Sequence, residues 1–272
     1  MKFNLEAIPA AGSIDEALWD FGNGFRSWRL WLYFGALDVR QRYRRSSLGP
    51  LWLSLGLGVT ILGIGLLYSA ILKTPAGTFI PFLSISLLTW QYISSSISES
   101  TGVFQGAGSI ITSMRVPYTA LILRMLVRNA IVFLHCIPPA VIAFLFYRYP
   151  VHAAALFSIP GFILLTANLY WIALLVAILC LRFRDIAQII VYGLQLAIFV
   201  TPIIWQPSKT TVSPALVRLN PLYHMVQVVR APVFDGKIPV DSLIFCSGML
   251  VVGLVLVFVV FRLSRRHIVH WL

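Results

Sequence analysis

Apolar residues run with no Asp, Glu, Lys or Arg among them over residues 51–72, 79–98, 129–147, 153–181, 186–205 and 242–261. Each run is close to the ~20 residues that carry a helix across the hydrocarbon core of a bilayer. The runs lack the strict apolar–polar alternation of barrel strands, and backbone groups in lipid must find their partners within a helix or a closed barrel. The pattern predicts an all-α membrane protein with six transmembrane helices. Gly56, Gly58, Gly63 and Gly65 in the first run favour close helix contact.

Ahead of that run, "RSWRLWLYFGALDVRQRY" places Trp28, Trp31, Leu32, Gly35 and Val39 at helical spacing beside Arg26, Arg29 and Arg40. This predicts an amphipathic helix over residues 26–45 that lies in the interface plane, as a membrane anchor or as a hold for a partner. Residues 1–25 carry Glu6, Asp15, Glu16 and Asp20 with little periodicity and read as a loosely ordered cytoplasmic arm. "SSLGP" then stops one helix and starts the next, with a serine cap and Pro50 in the first turn. Residues 46–272 form the six-helix domain.

Two connections are longer than the rest. In the 99–117 loop, Gly102, Gly106 and Gly108 predict a bent path with a short exposed helix around 103–113. Pro117 predicts a fresh helix start after an extended Val116. In the 206–238 region, "NPLYHMVQVVRAPVF" opens with Asn220 as a cap and Pro221 in the first turn, with Leu222, Met225, Val226 and Val229 on one face. It is too short to span, and a half-helix dipping back from the outer surface is expected.

Composition agrees: 59% of residues are hydrophobic and only 11% charged, against about 25% charged in soluble domains. With six spans, one side holds Lys2, Arg26, Arg29, Arg40, Arg42, Arg44, Arg45, Arg115, Arg124, Arg128, Arg182, Arg184, Arg262, Arg265 and Arg266. The other holds Lys73, Arg148, Lys209, Arg218, Arg230 and Lys237. The richer side is cytoplasmic by the positive-inside rule, which puts both termini there. No apolar segment occurs in the first 45 residues, so no signal peptide is expected. The net charge of +12 sits where topology requires it, and nucleic acid is not an expected partner. Cys136, Cys180 and Cys246 lie within the apolar runs without metal spacing and read as packing residues.

No P-loop, HExxH or G-x-S-x-G motif occurs, and no close carboxylate pair lies in the runs. The chain is expected to be no enzyme and to hold no cofactor or metal. His135 stands alone within a run and reads as a helix-to-helix hydrogen bond rather than a proton relay. A transport protein without a fuel site draws its energy from a partner.

The segments "DVRQRYRRSSLGPLW", "ISESTGVFQGAGSIITSMRVP", "RFRDIAQII", "FVTPIIW" and "NPLYHMVQVVRAP" resemble, in order and spacing, permease subunits of ABC-2 class polysaccharide-export ABC transporters, which handle O-antigen, capsule and teichoic-acid chains. The resemblance covers nearly the whole chain from about residue 26. It implies a homodimer in the bacterial inner membrane with two copies of a cytoplasmic ATPase that binds the ATP and Mg. It also implies a polyprenyl-linked polysaccharide as cargo, with membrane lipids around the pair. By resemblance the 26–45 helix lies beside the ATPase. The 99–117 loop carries the coupling helix, with Glu99, Phe104, Ile110, Ile111 and Pro117 as coupling residues, of which Phe104, Ile110 and Ile111 would pack in the ATPase cleft. Arg182, Arg184 and Asp185 would sit at the inner mouth, although Arg184 and Asp185 also read as an ordinary helix-end ion pair. Trp205, Asn220, Pro221, Tyr223 and Met225 would belong to the outer gate.

A sugar conduit calls for flat aromatic faces, for which Trp52, Tyr68, Trp90, Tyr92, Tyr170, Trp171 and Tyr192 are candidates, each of them also explicable as interfacial belt or packing. A carrier pyrophosphate calls for cations such as Arg42, Arg44 and Arg45. The competing readings are an ABC-2 exporter of a drug or lipid, a multipass enzyme of polyprenyl-linked sugars, and a structural scaffold.

Overall fold

A computed structural model describes residues 14–44, 46, 48–49, 51–114, 116–207 and 213–272, and every regular element among them is helical. The described chain opens with α1 (Ile14–Arg26), α2 (Trp28–Arg42), α3 (Leu51–Ile71) and α4 (Ala76–Ser100). Two short pieces, α5 (Val103–Gly106) and α6 (Gly108–Ser113), lead into α7 (Tyr118–His135) and α8 (Ile137–Phe146). After a 3-10 turn at Ala153–Phe157 come α9 (Ser158–Arg182), α10 (Asp185–Val200), α11 (Pro214–Leu219), α12 (Pro221–Phe234), α13 (Val240–Ser264) and α14 (Ile268–Trp271).

Five segments are long and apolar enough to cross a membrane: Leu51–Ile71, Ala76–Ser100, Tyr118–Phe146, Ala153–Arg182 and Val240–Trp271. The run expected as a sixth span is helical only from Asp185 to Val200. Its 16 residues rise about 24 Å, short of a ~30 Å hydrocarbon core. The helix stops because Thr201 stands before Pro202 and takes extended backbone, φ −87° and ψ 136°. The third span begins at Tyr118 rather than near 129, because Arg124 and Arg128 inside it face carboxylates of α2 and α4.

The buried axis is α4, in which every residue from Phe79 to Trp90 is buried, with α3, α7, α8, α9, α10 and α12 around it. Between lipid-immersed helices, apolar burial gains little over contact with acyl chains, so close fit and hydrogen bonds hold the bundle. The Ser84, Ser86 and Thr89 hydroxyls each donate to a carbonyl one turn back at 2.8 Å, which lets neighbouring helices approach small side chains. Tyr92 and Thr166 join α4 to α9 at 3.0 Å, and Asn168 of α9 donates to the Cys246 carbonyl of α13 at 3.1 Å. Any side chain at Gly161 would collide with the Val228 carbonyl of α12, and any at Gly253 with the Trp171 indole. All three cysteines are free and buried.

The expectation of a loose arm is corrected from Ile14 onward. Asp20 of α1 is fully buried, and its carboxylate accepts the Tyr118 and Thr119 N–H groups, each at 3.1 Å, and the Thr119 hydroxyl at 2.8 Å. Pro117 stands at the α7 N-cap with no side-chain cap bond, so the first amides of α7 take their cap from another helix. Arg265, beyond α13, meets Asp20 at 3.2 Å and also pairs with Glu16. Burial pushes the Asp20 carboxyl up to about 6, against the hydrogen bonds from Thr119 and Tyr118.

The helix expected over 26–45 runs from Trp28 to Arg42 and packs along α7, where Gly35 brings it against the Arg124 carbonyl and Val127. The "SSLGP" turn is made in part by Gly49, at φ 54°, whose N–H the Ser46 hydroxyl accepts at 3.1 Å. Arg45, Ser47 and Pro50 lie outside the described residues, as do residues 1–13, Arg115 and residues 208–212.

Candidate functional site

The antiparallel order of the helices gathers the ends of α2, α4, α9 and α13 and the start of α7 at one end of the bundle. There Arg42 of α2 and Arg128 of α7 grip Glu99 from both sides, at 3.3 and 2.5 Å. Asp38 takes Arg124 in a two-pronged pair, at 2.8 and 2.5 Å, and stands 3.8 Å from Arg128. Three guanidinium groups against two carboxylates leave one positive charge in excess, around a cavity of about 390 Å³ bounded by α2, α5, α6 and α7. Two-pronged arginine–carboxylate pairs fix direction as well as distance. The cluster therefore ties α2, the end of α4 and α7 into one unit.

The connecting loop starts from this unit. Its expected helix is broken at Ala107 into α5 and α6, and its apolar residues turn inward. Phe104 is 1% exposed, edge-on to Tyr118 with centroids 5.9 Å apart, and Ile111 is buried, so neither presents its side chain to a partner. A phenyl ring at the aqueous end is more stable under its own loop than in water. Ile110 is half-buried, while Ser109, Thr112 and Met114 are exposed. Pro117 does precede a fresh helix, as the sequence predicts.

Arg182 lies over the Trp271 and Phe183 rings at 4.9 and 5.2 Å, and Arg184 and Asp185 are exposed at the start of α10. Arg44 is exposed as well. The His135 ring bonds the Ile131 carbonyl of its own helix at 2.8 Å, while the bond from another helix comes to its backbone, where the His135 carbonyl accepts the Ser54 hydroxyl of α3.

The aromatic candidates divide. Trp90, Tyr92 and Tyr170 are buried within the chain, which corrects their assignment to a conduit. Tyr92 packs on Phe133 and Phe162, and Tyr170 on Phe21 and Phe25 of α1. Trp171 fills the space over Gly253, and Tyr68 is half-buried. Trp52 and Tyr192 are exposed, at 58% and 61%. Tyr192 shares a face of α10 with Gln188 and Gln195, both exposed, at the 4- and 3-residue spacing of a single helical stripe. No residue of α10 is buried.

At the opposite end α12 forms as the sequence predicts. The Asn220 side chain accepts the Leu222 and Tyr223 N–H groups at 2.9 and 3.4 Å, and Pro221 occupies the first turn. Asn220 also donates to Thr201 at 3.0 Å, tying α12 to the end of α10. Trp205 donates to the Phe199 carbonyl at 2.8 Å, Tyr223 is half-buried and Met225 is buried.

Arg230, counted above as an outer-loop charge, is instead 2% exposed. It donates to Ser86 at 3.0 Å and the Pro202 carbonyl at 2.6 Å, grips Gln227, and stacks over Phe82 at 4.6 Å. Its only signal in the sequence is a basic residue one place after the apolar face of a predicted helix. Asp20 and Asp38 were likewise missed, and the signal for Asp38 is a carboxylate inside a run of arginines.

No family model matches the chain. The chain is 26% identical over 206 residues to the O-antigen export system permease protein RfbA of Myxococcus xanthus, which covers 74% of this chain and 79% of that protein. It is 26% and 25% identical over 230 residues to two O-antigen export system permease proteins RfbA of Klebsiella pneumoniae, covering 80% of this chain and 86% of each relative. With its five spanning helices, the chain is a multipass membrane protein that resembles, over most of its length, the permease subunits of ABC-2 polysaccharide exporters.

Proposed function

We propose that this chain is the membrane subunit of an ATP-driven exporter that passes a lipid-linked polysaccharide outward across the inner membrane of a bacterium. In this reading it works as a homodimer with both termini in the cytoplasm, bound to two copies of a separate ATPase that holds ATP and Mg. Besides the likeness to O-antigen permeases, the observation that carries the reading is the α10 stripe of Gln188, Tyr192 and Gln195. Two uncapped amides facing lipid would each cost free energy, so such a stripe belongs against water or a second protein surface. Beside it α4 offers the half-exposed Gln91, Ser94, Ser95 and Ser98. A second copy apposed across α3 and α10 encloses these amides and hydroxyls around a path suited to sugar hydroxyls, with Tyr192 and Trp52 as its flat faces. In this arrangement α10 completes the sixth span with the bend after it, and α12 is the reentrant gate helix.

Force enters at the arginine end. The ATPase docks on Ile110 and the exposed Ser109, Thr112 and Met114, while α2 lies in the interface plane beside it. Because Phe104 locks the loop to Tyr118, and Glu99 locks the loop's root to Arg42 and Arg128, a push on the loop moves α2 and α7 together. Arg42, Arg44 and Arg182 are the cations at hand for a carrier pyrophosphate.

The test is co-purification with the ATPase encoded nearest to this chain, and ATP hydrolysis in lipid nanodiscs with and without lipid-linked polysaccharide. Ile110→Asp should weaken ATPase association at least about tenfold, since a buried charge without a partner costs more than 1.4 kcal/mol. Gln188→Leu/Gln195→Leu should leave association intact and abolish the response to polymer. Absence of any associated ATPase would sink the reading.

A further inference from the structure

Between α12 and the start of α13, at the end of the bundle away from the arginine cluster, lies a cavity of about 1000 Å³. That is the upper end of the ~300–1,000 Å³ that ligand pockets occupy. Its wall is built around His224 and Phe245, stacked 4.1 Å apart at 21°. His224 is buried and fixed by Ser242 at 2.9 Å and the Arg218 carbonyl at 2.7 Å, with Tyr223 beside it. Around this wall stand Arg218, Lys237, Asp235 and Asp241, all exposed. Among the described residues no ion pair joins any of the four.

We propose that this cavity binds an uncharged sugar unit of the exported chain, an inference that rests on the polysaccharide reading above. Two cations and two carboxylates make the cavity neutral but rich in both donors and acceptors. A phosphate entering it meets the carboxylates, and a cation meets the guanidinium. Hydroxyl groups donate and accept, so a sugar ring satisfies all four charges at once. The partly open faces of Phe245 and Tyr223 suit the apolar C–H face of a pyranose. The same helix α12 carries Arg230, which reaches Ser86 on the central α4 and the Pro202 carbonyl after α10. A ring held here lies on the element that closes the outer end, where it retains the emerged chain while the ATPase resets.

The test uses the whole chain in lipid nanodiscs and saturation-transfer NMR with maltohexaose, mannohexaose and chitohexaose as neutral probes, and inorganic phosphate as competitor. At least one hexasaccharide should bind, phosphate should not displace it, and Asp235→Asn/Asp241→Asn should weaken it about tenfold, as loss of a hydrogen bond to a charged group does. Both carboxylates are exposed, so this variant keeps its elution profile. Silence from all three probes, displacement by phosphate, or equal affinity in the variant overturns the site. In cells lacking the chain, the wild type should restore surface polymer and the double variant should restore less. Wild type that restores nothing removes the polysaccharide reading and the site with it. Wild type and variant that restore equally remove the site alone.

Discussion

Replacing Asp20 by alanine removes the acceptor that caps α7 from α1. Two amides lose their acceptor at once in a fully buried place and Arg265 loses one of its two carboxylates, while the Thr119 hydroxyl keeps the backbone carbonyl of residue 20 at 2.9 Å. Loss of a cap costs about 1 kcal/mol. Breaking a buried ion pair costs about 3–5 kcal/mol, and the lower half of that range applies because Arg265 keeps Glu16 and is 12% exposed. Since the same carboxylate serves both, the two overlap, and about 3 kcal/mol is expected for local opening at the α7 start. At 1.4 kcal/mol per factor of ten this is a little over a hundredfold. Hydrogen exchange of the peptide spanning Val116–Leu123, measured by mass spectrometry in nanodiscs at pH 7, reads that opening directly. The Tyr118 and Thr119 amides should exchange about a hundredfold faster in Asp20→Ala. Asp20→Asn keeps one acceptor oxygen and should cost about tenfold. Unchanged exchange in the alanine variant would mean that the α1 latch carries no free energy.

Because burial raises the Asp20 carboxyl from its ordinary 3.8 to about 6, docked α1 binds this proton more tightly than free α1. The proton-linked part of docking is then full below about pH 4 and is lost as pH rises through 6, by roughly 3 kcal/mol, and what remains at pH 7 is the cap and the ion pair that the alanine variant removes. Protection of the Thr119 amide, corrected for intrinsic exchange, should fall between pH 4 and 6 in the wild type and stay level in Asp20→Asn. Gly253→Leu drives a side chain into the Trp171 indole and should leave no monodisperse protein by size exclusion, whereas Gly248→Leu, which meets nothing, should elute as wild type. Arg230→Lys keeps the charge but cannot reach Ser86, Pro202 and Gln227 together, so thermal unfolding in detergent should show a loss of about 2 kcal/mol; equal stability would refute the forked role.

Periodicity reveals an element when its cause is local. Asn220 caps the helix that its own next residues form, and Pro117 restarts the helix that follows it, so α12 and α7 start where a short window predicts. Over 186–205 the helix ends early at a local signal, the extended residue before Pro202. Facing is a different matter. A helix apolar all round gives no moment to tell lipid from protein, which is why Trp90, Tyr92 and Tyr170 look like conduit residues in the sequence and lie inside the chain. The α10 stripe was readable, because Gln188 and Gln195 flank Tyr192 on one face, whereas the burial of Phe104 depends on Tyr118 across a bent loop. The acidic residues resisted sequence reasoning most. A carboxylate in a polar segment reads as solvated, and nothing local shows that Asp20 meets residues 98 and 245 positions away. Counting basic residues on either side of the spans cannot pair them. In a chain with nine acidic residues, Asp20, Asp38 and Glu99 each tie a different helix to the arginines of one end. The few carboxylates, more than the basic excess, therefore determine how that end is assembled and which parts of it move together.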